Sequence, residues 1–141
     1  MQIMKKTLVY GLVVLSLSFG MNVSAVASDI EITKILADKG DAASLTDLGL
    51  RYEIGDGVTQ DYSKAIELYQ KAANQGYAPA QFSIGNMYYI GKGVRKDYGR
   101  AVEWFQKGAN QGYAEAQNNL AVAYAEGKGV RQDSGKAVEL Y

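Results

Sequence analysis

The 141-residue chain contains no cysteine and no histidine, and only one proline and one tryptophan. Without cysteine there is no disulfide to staple the fold, so stability has to come from packing. The joint absence of cysteine and histidine removes the usual ligands of zinc, copper and haem iron. A metal site would need carboxylates alone, and the sequence clusters none, so neither metal nor cofactor is expected. The commonest general base is missing as well, and no Ser-x-x-Lys occurs beyond residue 27. No catalytic residue can be nominated, and the expectation is a protein that is not an enzyme. Charge of one sign is lacking too: 15 basic side chains stand against 15 acidic ones. Neither sign forms a block, so no attraction to nucleic acid or to an anionic membrane surface is expected.

Long hydrophobic runs are confined to one place. Residues 7–19 are apolar apart from Gly, Ser and Thr, about 13 residues against the roughly 20 a membrane-spanning helix needs. Lys5 and Lys6 precede the run, and Ala25-Val26-Ala27 follows it with the small side chains a signal peptidase accepts. Residues 1–27 therefore read as a signal peptide rather than a retained membrane anchor, with export to the periplasm or beyond. Without a cysteine, a lipid anchor at the cleavage site is excluded, and no membrane association is expected after cleavage. Omitting Lys5 and Lys6 leaves 13 basic and 15 acidic side chains, a net charge of −2.

What the sequence does contain is a period of 36 residues. Leu48, Ile84 and Leu120 share one column; Tyr52, Tyr88 and Tyr124 share another. The same spacing relates Gly55/Gly91/Gly127, Gly57/Gly93/Gly129, Val58/Val94/Val130, Asp61/Asp97/Asp133 and Ala65/Ala101/Ala137. A fixed period in this range marks one supersecondary unit stacked several times, and such stacks build extended binding surfaces. The chain divides into a lone-helix half-repeat at 28–40, repeats at 41–76 and 77–112, and an incomplete repeat at 113–141.

In the middle repeat, apolar or small residues at 80, 84, 87 and 88 have helical spacing, and Pro79 falls in the first turn, where its missing N–H is harmless. Gly91-Lys92-Gly93 then breaks the chain. Asp97 is placed to cap a second helix that buries Ala101, Val102, Trp104, Phe105 and Ala109 and stops near Gly112. The column Gly49/Gly85/Ala121 admits nothing larger than a methyl where two helices cross, with Tyr69/Phe105/Tyr141 filling the space opposite. The Tyr52/Tyr88/Tyr124 column is read as core rather than as a ligand platform. The segment 28–40 covers one end of the stack. The chain stops inside the second helix of the third repeat, so an open end is expected there that frays or is buried against another copy or a partner; the alternative is a natural protein that continues beyond residue 141.

These columns resemble the Sel1-like repeat, a branch of the tetratricopeptide-type helical solenoids. Its A-x-A-Q-[YF]-x-L-G-x-x-Y segment is matched by Ala78, Ala80, Gln81, Phe82, Ile84, Gly85 and Tyr88. The rest of its pattern is matched by Gly91, Gly93, Val94, Asp97, Ala101, Trp104, Phe105, Lys107, Ala109, Gln111 and Gly112. Departures are modest: Arg100 replaces the usual Lys, Thr46 and Asn118 the aromatic, and Ala121 the Gly. The resemblance implies an all-α fold, a right-handed α-solenoid of helix-turn-helix repeats of 36 residues. It also implies an adaptor or scaffold role. Cysteine-rich members associated with β-lactam binding or hydrolysis carry paired cysteines that are absent here, so an enzyme of that kind is the weaker alternative.

Three motifs have bland readings that suffice. Gly91 to Lys96 lacks the third glycine of G-x-G-x-x-G and the Gly-Lys-Ser/Thr of a phosphate loop, and reads as a helix connector. Asp61, Asp97 and Asp133 recur one repeat apart, so they read as caps, not as an acid–base pair. Lys92, Arg95, Lys96 and Arg100, echoed by Lys128 and Arg131, read as a solvated loop edge, with docking of an acidic partner as the alternative.

The resemblance places the first helix of each repeat on the concave side. The groove stripe is then expected at Thr46, Leu50 and Glu53, at Phe82, Asn86 and Tyr89, and at Asn118, Val122 and Ala125. Phe82 and Tyr89 are the expected anchors, since aromatics dominate binding hot spots. The expected partner is a peptide or protein, not nucleic acid; an envelope-associated or self-assembling structural module is the runner-up.

Overall fold

Aspartates cap the start of four helices, and left-handed glycines close the end of three. The computed structural model describes residues 28–141; the expected signal peptide falls outside the described residues. Among the described residues there are seven helices and no strand: α1 (Asp29–Asp38), α2 (Ala42–Ile54), α3 (Tyr62–Asn74), α4 (Ala78–Ile90), α5 (Tyr98–Ala109), α6 (Ala114–Glu126) and α7 (Ser134–Leu140). The carboxylates of Asp61, Asp97 and Asp133 accept the backbone N–H of Lys64, Arg100 and Lys136, each at 3.0 Å. Asp41 caps α2 in the same way through Ser44, at 2.9 Å. Each cap satisfies a donor that the first helical turn leaves without a partner. The loop between the helices of a repeat is latched by a second bond from the same aspartate. The N–H of Asp61, Asp97 and Asp133 donates to the carbonyl of Tyr52, Tyr88 and Tyr124, at 2.8–2.9 Å.

The two loop glycines have different duties. Gly91 ends α4 with φ of 81°, a left-handed turn that closes the helix. Gly93 has φ of 67°, and a side chain there would bring its Cβ within 2.5 Å of Tyr62 Cβ on the preceding repeat. The second glycine of Gly-x-Gly is thus a contact between repeats as well as a turn residue.

Thr33–Tyr141 forms one compact unit in which α2 to α7 pack consecutively, an α-solenoid. We call α2, α4 and α6 the A helices and α3, α5 and α7 the B helices; α2 and α4 also touch directly. Two hydrophobic clusters run along the unit. The first holds Leu45, Leu48, Leu68, Tyr69, Ile84 and Met87, and the second holds Val102, Phe105, Ala116 and Leu120. Tyr69 and Phe105 are buried to 1% and 0% exposure. Each ring lies against the glycine expected opposite it. A Cβ at Gly49 would stand 2.8 Å from Tyr69, and one at Gly85 2.7 Å from Phe105. The limit at these glycines is tighter than the sequence suggested, because even a methyl would collide.

The Tyr52/Tyr88/Tyr124 column departs from the expected core position. All three are half-buried, with one side against the clusters and the other toward the loop edge. Arg100 lies 5.5 Å from the Tyr88 ring centroid and Lys136 5.3 Å from that of Tyr124. The repeating basic residue of the second helix, not another apolar side chain, covers their outer side. Buried polar groups are few and bonded: Gln81 donates to the Ala73 carbonyl (3.3 Å) and accepts from Gln111 (2.9 Å), tying the turn between repeats to the helix before it.

Candidate binding surface

The A helices place four columns toward the side that the B helices do not cover. They are residues 43/79/115, 47/83/119, 50/86/122 and 54/90/126, at the helical spacings of four, three and four. Three large apolar side chains stand out on this face: Leu50 at 46% exposure, and Ile54 and Ile90 at 59% each. Between them the face is polar and cross-braced. Asn119 donates to Asn86 at 2.8 Å, joining two A helices. Asp47 accepts from Arg51 and from Thr33, while the Ser83 hydroxyl turns back to the Pro79 carbonyl. Successive repeats thus present Leu50 and Ile54, then Asn86 and Ile90, then Val122 and Glu126.

The nine residues expected to form the stripe separate into two groups. Leu50, Asn86 and Val122 lie in the middle of the A face. The columns 46/82/118 and 53/89/125 lie to its side, toward the seam with the following repeat. The Thr46 hydroxyl bonds to its own helix at Ala42. Phe82 packs on Phe105 and on Tyr113 of the next repeat, with ring centroids 6.1 and 5.7 Å away. Tyr89 sits edge-on to Tyr98 at 4.9 Å and near Phe105 at 6.1 Å. Both aromatic anchors are half-buried and already engaged. Glu53 receives the Tyr69 hydroxyl at 2.9 Å and pairs with Lys92 at 3.3 Å. Asn118 is exposed and Ala125 half-buried. Ile54 and Ile90, which lie outside the expected stripe, carry the largest exposed apolar surface of the A face. Their signal in the sequence was an isoleucine directly before a helix-ending glycine, out of phase with the core column 84/87.

Electrostatics follows the same division. Burial pushes the Tyr69 phenol far above its ordinary value, and the neighbouring Glu53 carboxylate adds to the shift. That pair serves the interior. At the far end of the A face, the Lys128 ammonium holds the Glu126 carboxyl below the usual range, with the two groups 2.7 Å apart. The A face offers an apolar strip with fixed amide partners.

Comparison with known proteins fits this architecture. No curated protein matches the chain. Among solved structures, a protective antigen present in uropathogenic Escherichia coli strains, displaying an SLR fold, is 39% identical with a TM-score of 0.78. The match covers 81% of this chain and 24% of that one, so the chain spans about a quarter of that protein's length. A Sel1 repeat protein from Oxalobacter formigenes is 35% identical with a TM-score of 0.76, over 84% of this chain and 91% of that one. The cysteine-rich protein B of Helicobacter pylori shares the fold at 19% identity, with a TM-score of 0.62 over 81% of this chain and 86% of that one. The Sel1 repeat profile matches residues 42–77, 78–113 and 114–141. With three consecutive matches over most of its length, the chain belongs to the Sel1 repeat family.

Proposed function

We propose that the protein is an exported, non-catalytic adaptor that holds a peptide or protein segment along the A-helix face. The observation that carries this reading is the exposed strip Leu50, Ile54 and Ile90, set beside the braced amides Asn86 and Asn119. An apolar strip lined by a few fixed hydrogen-bonding groups is the usual composition of a recognition surface. Helical repeats supply such faces because each unit contributes one rung. Phe82 and Tyr89 support the rungs from the seam, and Thr46, Glu53, Asn118 and Ala125 line its edge. Export rests on Lys5, Lys6, the apolar run and Ala25-Val26-Ala27. Among the described residues no helix is long and apolar enough to cross a membrane.

The test compares the unaltered protein with an Ile54→Asp/Ile90→Asp variant as bait in envelope extract, with circular dichroism confirming that both are folded. The expected result is a discrete captured protein that the variant loses. Capture of the same set by both would remove the A face from consideration. Self-association as the only interaction, seen by sedimentation, would favour a structural module instead.

A further inference from the structure

Charge is unevenly distributed along the repeats, although the total is nearly balanced. Residues 92–100 carry Lys92, Arg95, Lys96 and Arg100 against Asp97 alone, and residues 128–136 carry Lys128, Arg131 and Lys136 against Asp133 alone. The two segments together have a charge of +5, while the rest of 28–141 has −7. The same segment in the first repeat, 56–64, is −1. Both carboxylates within the basic segments are occupied as helix caps. Among the described residues, Arg95, Lys96 and Arg131 form no ion pair; Arg95 and Arg131 are exposed and occupy the same column one repeat apart.

Each basic segment frames a notch. One is lined by Tyr88, Val94, Arg95, Lys96, Arg100 and the capping Asp97, with a volume of about 480 Å³. Its counterpart, one repeat on, is lined by Tyr124, Val130, Arg131, Gln132, Lys136 and the capping Asp133, with a volume of about 500 Å³. A half-buried tyrosine and a valine make an apolar floor. Arg100 and Lys136 lie over the rings, and Arg95 and Arg131 line the same notches. This composition suits a carboxylate beside an apolar group, bound by guanidinium forks that favour planar anions.

We infer that the loop edge of the second and third repeats is a separate two-notch docking site for an acidic, extended peptide, one carboxylate entering each notch. The A helices of these two repeats, α4 and α6, touch through Asn86 and Asn119, so the notches are about one interhelical spacing apart, roughly 8–10 Å. A polyproline II chain brings every third side chain to one face and advances about 9 Å per three residues, so acidic residues at every third position match. The site is distinct from the A face, and either can fail without the other.

The probe is a fluorescein-labelled peptide of repeating Glu-Pro-Pro, titrated against the purified protein by anisotropy, with a Gln-Pro-Pro peptide as the neutral control. Expected are saturable binding of the acidic peptide only, weakening with salt, and at least a tenfold loss in Arg95→Glu/Arg131→Glu. Lys34→Glu/Lys39→Glu, the same charge change on another exposed surface, should change affinity by less than about threefold, as should Ile54→Asp/Ile90→Asp. Arg95→Gln/Arg131→Gln replaces the reversal variant if that one does not fold. The proposal is overturned by equal binding of the neutral peptide, by equal losses in both charge-reversal pairs, or by no binding. Tighter binding to phosphatidylglycerol vesicles or duplex DNA than to the peptide overturns it as well.

Discussion

At the scale of single residues, the tightest constraint is the space opposite a buried ring. Gly85 cannot gain a methyl without meeting the Phe105 ring at 2.7 Å and the Ala101 carbonyl at 3.3 Å. Gly85→Ala should therefore destabilise the unit by about 1–3 kcal/mol despite alanine's better helix propensity, and Gly85→Val by more. Gly99 is the contrast. It lies in the first turn of α5, where the preceding repeat has Ser63, and an added Cβ would contact only the capping Asp97 oxygen at 3.3 Å. Gly99→Ala should change stability by less than about 0.5 kcal/mol, the gain in helix propensity being offset by pressure on the capping oxygen. Thermal melts of the three variants check the order, and a loss at Gly99 equal to that at Gly85 would show that ring contact is not the cause. Tyr69 adds a pH dependence. Its phenol stays neutral in the folded protein above the ordinary value of 10.0, where the unfolded chain ionises. Stability from this group is complete below pH 10.0 and declines as pH rises beyond it, because the unfolded state then binds fewer protons. Urea midpoints followed from about pH 9 to pH 11 should fall more steeply in the unaltered protein than in Tyr69→Phe; parallel curves would refute the assignment.

At the scale of the helix, the caps are the part most open to direct reading. Asp97→Ala removes both the acceptor for the Arg100 N–H and the charge at the start of α5, and should cost about 0.5–2 kcal/mol. Asp97→Asn should retain most of that stability, since the amide oxygen can accept the same bond; equal losses in chemical denaturation would mean that charge, not capping geometry, matters. The aspartate and glycine columns were legible because their chemistry is local: a cap needs only its own helix. Face assignment was less legible because it depends on what lies across the seam. Phe82 and Tyr89 fall on a plausible stripe by helical spacing alone. The rings that occupy them come from elsewhere in the chain: Tyr113 from the cap before α6 and Phe105 from α5. Tyr88 misled for the opposite reason. Its recurrence suggested full burial, whereas the recurrent feature is a half-buried ring covered by the equally recurrent Arg100 or Lys136. Ile54 and Ile90 are hard to read from sequence because each is the last residue of its helix, with no following turn to show which face it continues.

At the scale of the whole stack, each repeat is stabilised mainly by its neighbours, so a defect in one seam should spread to the next. Trp104 shows how a seam is closed: from α5 it packs against the cluster that contains Ala73 and Ile84, with Lys107 4.0 Å above its ring. One repeat earlier the column holds Leu68, and there an open cleft of about 660 Å³ lies between α1, α2 and α3, lined by Leu45, Leu48, Tyr52 and Lys71. Lys71 stands to Leu68 as Lys107 stands to Trp104. Leu68→Trp should therefore place an indole across the cleft with a lysine positioned to cover it. Burying part of that ring should contribute about 1 kcal/mol, a rise of roughly 4–8 °C in melting temperature for a unit of this size. The reverse change, Trp104→Leu, should open a cleft in the second seam and lower stability by about 1–3 kcal/mol. With both changes combined the effects should add, because the sites lie in different seams. A lower melting temperature for Leu68→Trp would show that the cleft is held at its present width by the packing of α1, and that the two seams are not equivalent.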